Sequence, residues 1–338
     1  MAVLFTHPRC LDHDTGEHVE RPERVTAVLE ALDAQPWGKS IQRAEAPPAR
    51  GEDLLKVHDA PMMRATRDLA ARGGGHLDPD TVVGPASWEA ALLAAGACVE
   101  AARRVARGDE RGAYCLVRPP GHHATRDRAM GFCLLNNVAV AAQRVLDLKS
   151  ARRVAVFDHD VHHGNGTQDI FWTSPDVLYV SVHQWPLYPM TGRLDEVGAG
   201  EGQGHTLNLP VKPGTSERAY AQLLDEVVLP VAESFDPDLW IVSAGYDSHQ
   251  RDLLGSLDLT SGFYAAILRK LAEVEPRMVV ALEGGYHLES VGRSAVSQLA
   301  FLAGHEVPAW DEKPRGDDHD VRALVRDARK VLEPYWTF

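Results

Sequence analysis

"VAVFDHDVHHGNGTQ", residues 154–168, runs from an apolar stretch straight into two aspartates and three histidines at positions 158–163. A short apolar run without polar alternation reads as a strand covered on both faces, as in a parallel sheet enclosed by helices. The polar residues then fall at the strand's carboxyl end. Along an extended segment side chains alternate, so Asp158, Asp160 and His162 share one side while His159 and Val161 face the other. Burying two carboxylates there is costly unless a positive charge lies among them.

The pattern recurs outward from this stretch. "AVLFTH", "GAYCLVR", "VLYVSVH", "LWIVSAGYD" and "RMVVALEGGY" have the composition of buried strands. Between them, "RPERVTAVLEALDA", "SWEAALLAAGACVEAARRVARG", "NNVAVAAQRVLDL", "SERAYAQLLDEVVLPVAESF" and "SGFYAAILRKLAEV" are helical in period. Pro22 is expected in the first helical position of the first, Ser87 as the cap of the second and Gly108 as its stop. The alternation predicts one α/β domain over residues 1–338 with a central, mostly parallel sheet. "YPMTGRLDEVGAGEGQG" is expected as a surface loop, and "HEVPAWDEKPRGDDHD" as a polar tail before a last short helix. Ligands bind outside the carboxyl ends of such strands, where "RPPGHH", "DHDVHHGNG", "SVH", "AGYD" and "EGGY" all stand.

Bulk composition narrows the classes. Apolar residues make up 44% of the 338 and charged residues 25%, enough for a sizeable core. A net charge of −13 argues against sequence-independent nucleic-acid binding, which needs a basic face. No apolar run approaches the roughly 18 residues of a membrane span. "MAVLFTHPRC" lacks the basic lead of a signal peptide. Cys10, Cys98, Cys115 and Cys133 are far apart with no C-x-x-C pair, so buried free thiols and a cytoplasmic location are expected. No pattern encodes the oligomeric state.

The D-x-D-x-H row offers carboxylate oxygen and imidazole nitrogen, ligands that suit a divalent metal such as zinc. A catalytic site takes three protein ligands, and Asp247 in "SAGYDSH" is the best third candidate. Taken singly, these residues have plainer readings. A lone strand histidine is usually a packed one, a lone aspartate at a strand end usually a helix cap, and "HHGNGTQ" can open the helix "TQDIFW". The row together with a distant "PPGHH" outweighs them.

"RPPGHHA", "GFCLLNNVAVAA", "VAVFDHDVHHGNGTQDIF", "VSVHQWPLYPMTG", "NLPVKPGT", "PDLWIVSAGYDSHQRDLLGSLDLT" and "LEGGYHLESV" strongly resemble the zinc-dependent histone deacetylase family. The resemblance is strongest to its class II-like branch, which includes bacterial histone-deacetylase-like amidohydrolases and acetylpolyamine amidohydrolases. It extends from "HDTGEHVERPERV" to about residue 300. The resemblance implies an arginase–deacetylase fold, with an eight-stranded parallel sheet between helices and a narrow tunnel to the metal. It implies zinc on Asp160, His162 and Asp247, and potassium beside Asp158, Ser181 and Val182 together with Asp160 and His162. His122 and His123 match the family's tandem histidines, oriented by Asp158 and Asn165; Tyr286 matches the tyrosine that polarises the substrate carbonyl. Phe132 and Tyr188 match the tunnel walls.

The implied reaction is hydrolysis of N-acetyl amides, on acetyl-lysine peptides or small acetylated amines, to free amine and acetate. His123 would act as general base and then general acid, with His122, against Asp158, a fixed positive dipole or charge. Gly284 and Gly285 are expected to let the backbone turn before Tyr286. Three departures stand out. The family's F-Y-P-G-T-G reads "LYPMTG" here, its A-G-F-D reads "AGYD", and Leu254 stands where polyamine-preferring relatives carry an acidic gatekeeper. Glu17 is an alternative rim carboxylate. Two other classes are weighed. An arginase-type ureohydrolase needs a binuclear manganese site that "PPGHH" and "EGGY" do not fit, and a non-catalytic acyl-lysine binder would be expected to lack Tyr286 or His123.

Overall fold

Each apolar run becomes a strand because both of its faces find a core. A computed structural model describes residues 2–315 and 319–338. Its strands are β1 (Ala2–Phe5), β2 (Gln42–Ala44), β3 (Gly75–His76), β4 (Val82–Val83), β5 (Gly112–Cys115), β6 (Val154–Asp158), β7 (Val177–Gln184), β8 (Thr206–Val211), β9 (Leu239–Ala244) and β10 (Met278–Leu282). Strands β3 and β4 form a small antiparallel pair. The other eight make one parallel sheet in the order β2-β1-β5-β10-β9-β6-β7-β8. Val154, Val156, Leu239 and Ile241 point into one core, with helices Ser87–Arg107 and Asn137–Asp147. Their neighbours Ala155, Phe157, Trp240 and Val242 point into the other, with helices Glu23–Asp33, Phe263–Val274 and Leu288–Ala303.

The local expectations need four corrections. Ser87 does not cap its helix: its Oγ accepts the Gly84 N–H at 2.7 Å and lies 2.6 Å from His13 Nδ1, while Ala86 takes the cap position. Pro22 stands just before the helix that begins at Glu23. The long helix over 216–235 is broken into Glu217–Leu223 and Leu229–Phe235 by a wide turn at Leu224–Val228. Pro230 supplies the reason, since it has no N–H to give the carbonyl four residues back. That carbonyl, of Glu226, accepts instead from Arg329 Nε at 2.8 Å. The loop 188–204 is not all surface, because Glu196 Oε2 accepts from the Gln168 amide at 2.7 Å and from the Gly192 N–H at 3.1 Å.

Strands β2 and β8 went unmarked in the sequence. Pro210 argues against a strand, but β8 is an edge, where a missing N–H costs no ladder bond. Gly108 ends its helix in the left-handed conformation, with φ 79°, as expected. The last helix is Arg322–Leu332; of the polar tail before it, residues 316–318 lie outside the described residues. Cys10, Cys98, Cys115 and Cys133 are buried free thiols. No helix among the described residues is long and apolar enough to cross a membrane.

His58 ties two segments beneath this frame. Its Nδ1–H donates to the Thr125 carbonyl at 2.9 Å, and its Nε2 accepts the Asn136 N–H at 2.8 Å. Asn136 in turn caps helix Asn137–Asp147 through its side chain. Burial pushes the His58 imidazole down to about 4, and protonation would break the bond to Asn136. A folded value below the unfolded one of about 6.5 gives stability present at neutral pH and lost as pH falls toward 4. Between pH 7.5 and 5 this group should remove about 2 kcal/mol. Urea midpoints should therefore fall further for the wild type over that interval than for His58→Gln, whose amide can make both bonds without titrating. Equal falls would mean that His58 does not carry the linkage.

Candidate active site

Four strand ends of the parallel sheet converge on one opening. Asp160 and His162 follow β6, Asp247 follows β9, Glu283 to Tyr286 follow β10, and Pro119 to His123 follow β5. The alternation read from sequence holds past the end of β6. His159 turns away, with Nδ1 2.9 Å from the Gly245 carbonyl and Nε2 3.0 Å from Gln298, and Val161 enters the core. Asp160, His162 and Asp247 meet on the other side, their ligand atoms within 4.8 Å of one another. His162 Nδ1 lies 3.0 Å from Asp160 Oδ1 and 3.2 Å from Asp247 Oδ2.

These three residues fit a divalent cation. Both carboxylates are buried, and burial together with Asp160 pushes the Asp247 carboxyl up to about 7 although His162 pulls it down. A protein that keeps two such groups ionised needs a cation between them. The backbone makes room for one: a Cβ at Gly284 would collide with oxygens of both Asp247 and Asp160, and one at Gly245 with Asp160. Remaining lone pairs are taken by peptide donors, Val161 N–H to Asp247 Oδ1 at 2.8 Å and Gly284 N–H to Asp160 Oδ2 at 2.9 Å. Of the two glycines before Tyr286, only Gly285 has positive φ, at 105°. Gly284 is there for close approach, which corrects the expectation that both serve the turn.

The tandem histidines are held differently. His122 Nδ1–H donates to Asp158 Oδ2 at 3.0 Å, and its Nε2 lies 3.7 Å from Asp160. Burial opposes its charge, but Asp160 and Asp158 prevail and push the imidazole up to about 10. His123 Nδ1–H donates to Asn165 Oδ1 at 2.8 Å. Burial, then the neighbouring His122 and His162, hold it well below the usual histidine value. His122 thus holds its proton more tightly than His123, whose Nε2 is left as the acceptor. Glu283, the first residue of "EGGY", stands behind them, its Oε2 accepting the N–H groups of Gly121 at 2.6 Å and His122 at 3.1 Å. His122, Cys133 and Glu283 also cluster, but these contacts already occupy the carboxylate.

A cavity of about 500 Å³ opens onto His122, His123, His162 and Tyr286. Phe132 and Tyr188 line it: the Phe132 ring meets Tyr286 edge-on at 5.9 Å, and the Tyr188 ring meets His123 edge-on at 5.1 Å. Leu254 and Glu17 reach its mouth, together with Asp80 and His18, which sequence reasoning missed. Asp80 sits in the turn between β3 and β4, a pair too short to leave a periodic signal. Asp158 and Ser181 are register partners on β6 and β7; Ser181 Oγ lies 2.9 Å from His183 Nδ1, and the Val182 side chain is in the core. Beneath Tyr286 lies a buried ion network, in which Glu20 pairs with Arg118 at 2.6 Å and with Arg24 at 3.0 Å.

The departures from the family pattern also find physical accounts. The hydroxyl that distinguishes "AGYD" is satisfied, Tyr246 lying 2.6 Å from the Tyr114 hydroxyl and 2.7 Å from Gln298 Oε1. Met190 has φ 67° and is exposed. The loop thus keeps a conformation natural to glycine at a cost of about 1–2 kcal/mol.

Comparison with known proteins agrees with this geometry. Residues 18–302 match the histone deacetylase domain. A histone deacetylase-like amidohydrolase of Pseudomonas aeruginosa is 41% identical over 293 residues, covering 85% of this chain and 77% of that one. A probable deacetylase of Archaeoglobus fulgidus is 35% identical over 354 residues, covering 99% of this chain and 98% of the relative. The crystal structure of the HDA15 HD domain superposes with a TM-score of 0.91 at 35% identity, covering 99% of this chain and 96% of that one. The architecture is the arginase–deacetylase fold. The chain belongs to the histone deacetylase family, whose members are metal-dependent deacetylases and amidohydrolases.

Dialysis against a strong chelator should remove one divalent ion per chain, and titration with zinc or cobalt should restore it. Gly284→Ala, whose methyl group would press on both carboxylates, should bind that ion at least tenfold more weakly while its circular dichroism stays native. Elemental analysis and competition with a chromogenic chelator measure both. Unchanged affinity in the variant would place the ion elsewhere.

Proposed function

We propose that the chain, acting as one catalytic unit, hydrolyses N-acetyl amides of cationic amines to the free amine and acetate. The observation that carries this reading is the meeting of three features at one cavity: His162 of the Asp160–His162–Asp247 group, His123 and the Tyr286 side chain. Zinc held by those three ligands would polarise the acyl oxygen and make water a better acid. His123, its Nδ1–H fixed on Asn165, takes the proton of the attacking water at Nε2 and returns it to the leaving amine. His122, charged against Asp158, offsets the negative charge of the tetrahedral centre and keeps His123 neutral until it takes that proton. The Tyr286 hydroxyl donates to the developing oxyanion. Potassium beside Asp158, Ser181 and Val182, touching Asp160 and His162, would offset the carboxylates from behind. The buried free thiols suit the reducing cytoplasm.

The slot between Phe132 and Tyr188 suits an apolar methylene stem, and Leu254 at the mouth suits a peptide backbone. Both favour a broad deacetylase that accepts acetyl-lysine. Exposed carboxylates of Glu17 and Asp80 at the same mouth favour the second reading, a specialist for acetylated polyamines, since a second ammonium gains only from a partner within a few ångströms.

Tyr286→Phe should keep its metal and its fold but lose two to three decades of kcat, the usual scale for one oxyanion donor, about 2.7–4 kcal/mol. Near wild-type turnover would show that another group polarises the carbonyl. For substrate choice, Glu17→Ala should lower kcat/KM for acetylated diamines less than threefold relative to acetyl-lysine peptides. A selective loss of tenfold or more would make the polyamine reading the better one.

A further inference from the structure

We infer that Asp252 fixes the position of Tyr286 and couples it to the rim of the tunnel. The inference rests on reading Tyr286 as the group that polarises the carbonyl. Tyr286 belongs to no strand or helix: β10 ends at Leu282, Gly285 turns the chain at φ 105°, and the next helix begins at Leu288. Where the phenol points is therefore decided by what holds the backbone from 283 to 287.

Besides Asp160, which accepts the Gly284 N–H, two side chains do so. Arg24 takes the carbonyls: its Nε donates to Gly285 O at 2.6 Å, a second nitrogen donates to Glu283 O, and the guanidinium lies 5.1 Å over the Tyr286 ring. Asp252 takes the amides. Its Oδ2 accepts the N–H groups of Tyr286 at 2.6 Å and His287 at 3.0 Å. Its Oδ1 accepts the Leu254 N–H at 3.0 Å. A carboxylate with three peptide donors makes charge-assisted bonds stronger than the neutral bonds that usually pin a loop.

The third bond gives Asp252 a second role. Leu254 lines the mouth of the cavity, and the segment that carries it starts at the metal-ligand candidate Asp247. That segment is held at its near end by the Asp252 N–H on the His249 carbonyl at 2.9 Å, and by Arg251 against Glu289 at 3.0 Å. One carboxylate thus joins the rim residue that a substrate touches to the backbone of the tyrosine that acts on it. Asp252 does not line the cavity, so it is a positioning residue and not a catalytic one.

The test measures Asp252→Ala and Asp252→Asn in the wild-type and Tyr286→Phe backgrounds, with acetyl-lysine peptide as substrate. Backbone amide exchange over residues 284–290 is followed in parallel. Asp252→Ala should lower kcat about 10–100-fold, the scale of an ångström of misplacement, with KM within threefold. In the Tyr286→Phe background the same change should cost less than threefold, because its effect passes through the missing hydroxyl. Asp252→Asn, which keeps one acceptor oxygen, should fall between. Exchange at Tyr286 and His287 should quicken in Asp252→Ala while core strands stay protected. Equal losses in both backgrounds, or unchanged exchange at these two amides, overturn the inference. A wild type inactive on every acetyl amide would defeat the functional reading instead, and exchange would still decide whether Asp252 holds the tyrosine.

Discussion

Carboxyl groups buried at the carboxyl end of an apolar sheet constrain everything around them. Asp158, Asp160, Asp247, Glu283 and Glu20 are all removed from solvent. A buried carboxylate without a partner costs several kcal/mol, so each must be answered by a cation or by peptide donors. His122 answers Asp158, Arg118 and Arg24 answer Glu20, and the backbone of Gly121 and His122 answers Glu283. Asp160 and Asp247 keep one unfilled demand between them, and the metal reading follows from it. The raised pKa of His122, beside Asp160 and Asp158, and the lowered one of His123, buried beside His122, follow from the same arrangement.

Much of this was legible because its signals are local. Buried parallel strands announce themselves as unbroken apolar runs, and the D-x-D-x-H row sets its own geometry through alternation alone. The pairing of His122 with Asp158 and His123 with Asn165 came from resemblance, and the distances agree with it. What stayed hidden is non-local. Glu20 meets Arg118 across 98 residues of chain and Arg24 meets Gly285 across 261, and no periodicity registers such contacts. Ser87 was misread because a serine before a helical run has two uses, and a buried histidine from the first loop claimed it. Strand β8 was hidden by a proline that only an edge position tolerates.

The two departures near the site show how differently a core and a rim absorb change. An added hydroxyl at Tyr246 is acceptable because Tyr114 and Gln298 already stand within reach, so the buried group is satisfied. Met190 has no such compensation. It holds a left-handed backbone with its side chain in solvent, where side-chain contacts contribute little and the cost is conformational.

The candidate metal ligands and the tandem histidines stand where strands stop, while Tyr188, Leu254, Glu17 and Asp80 ride on connecting segments. That division bears on how such a molecule can diverge. Substitutions of rim side chains that make no bond to the strand ends leave those ends undisturbed, whereas Asp252, on the segment that carries Leu254, is bound to Tyr286 and lacks that freedom. A glycine wedged against two carboxylates has no such freedom, since even a methyl group would displace what the sheet was built to hold.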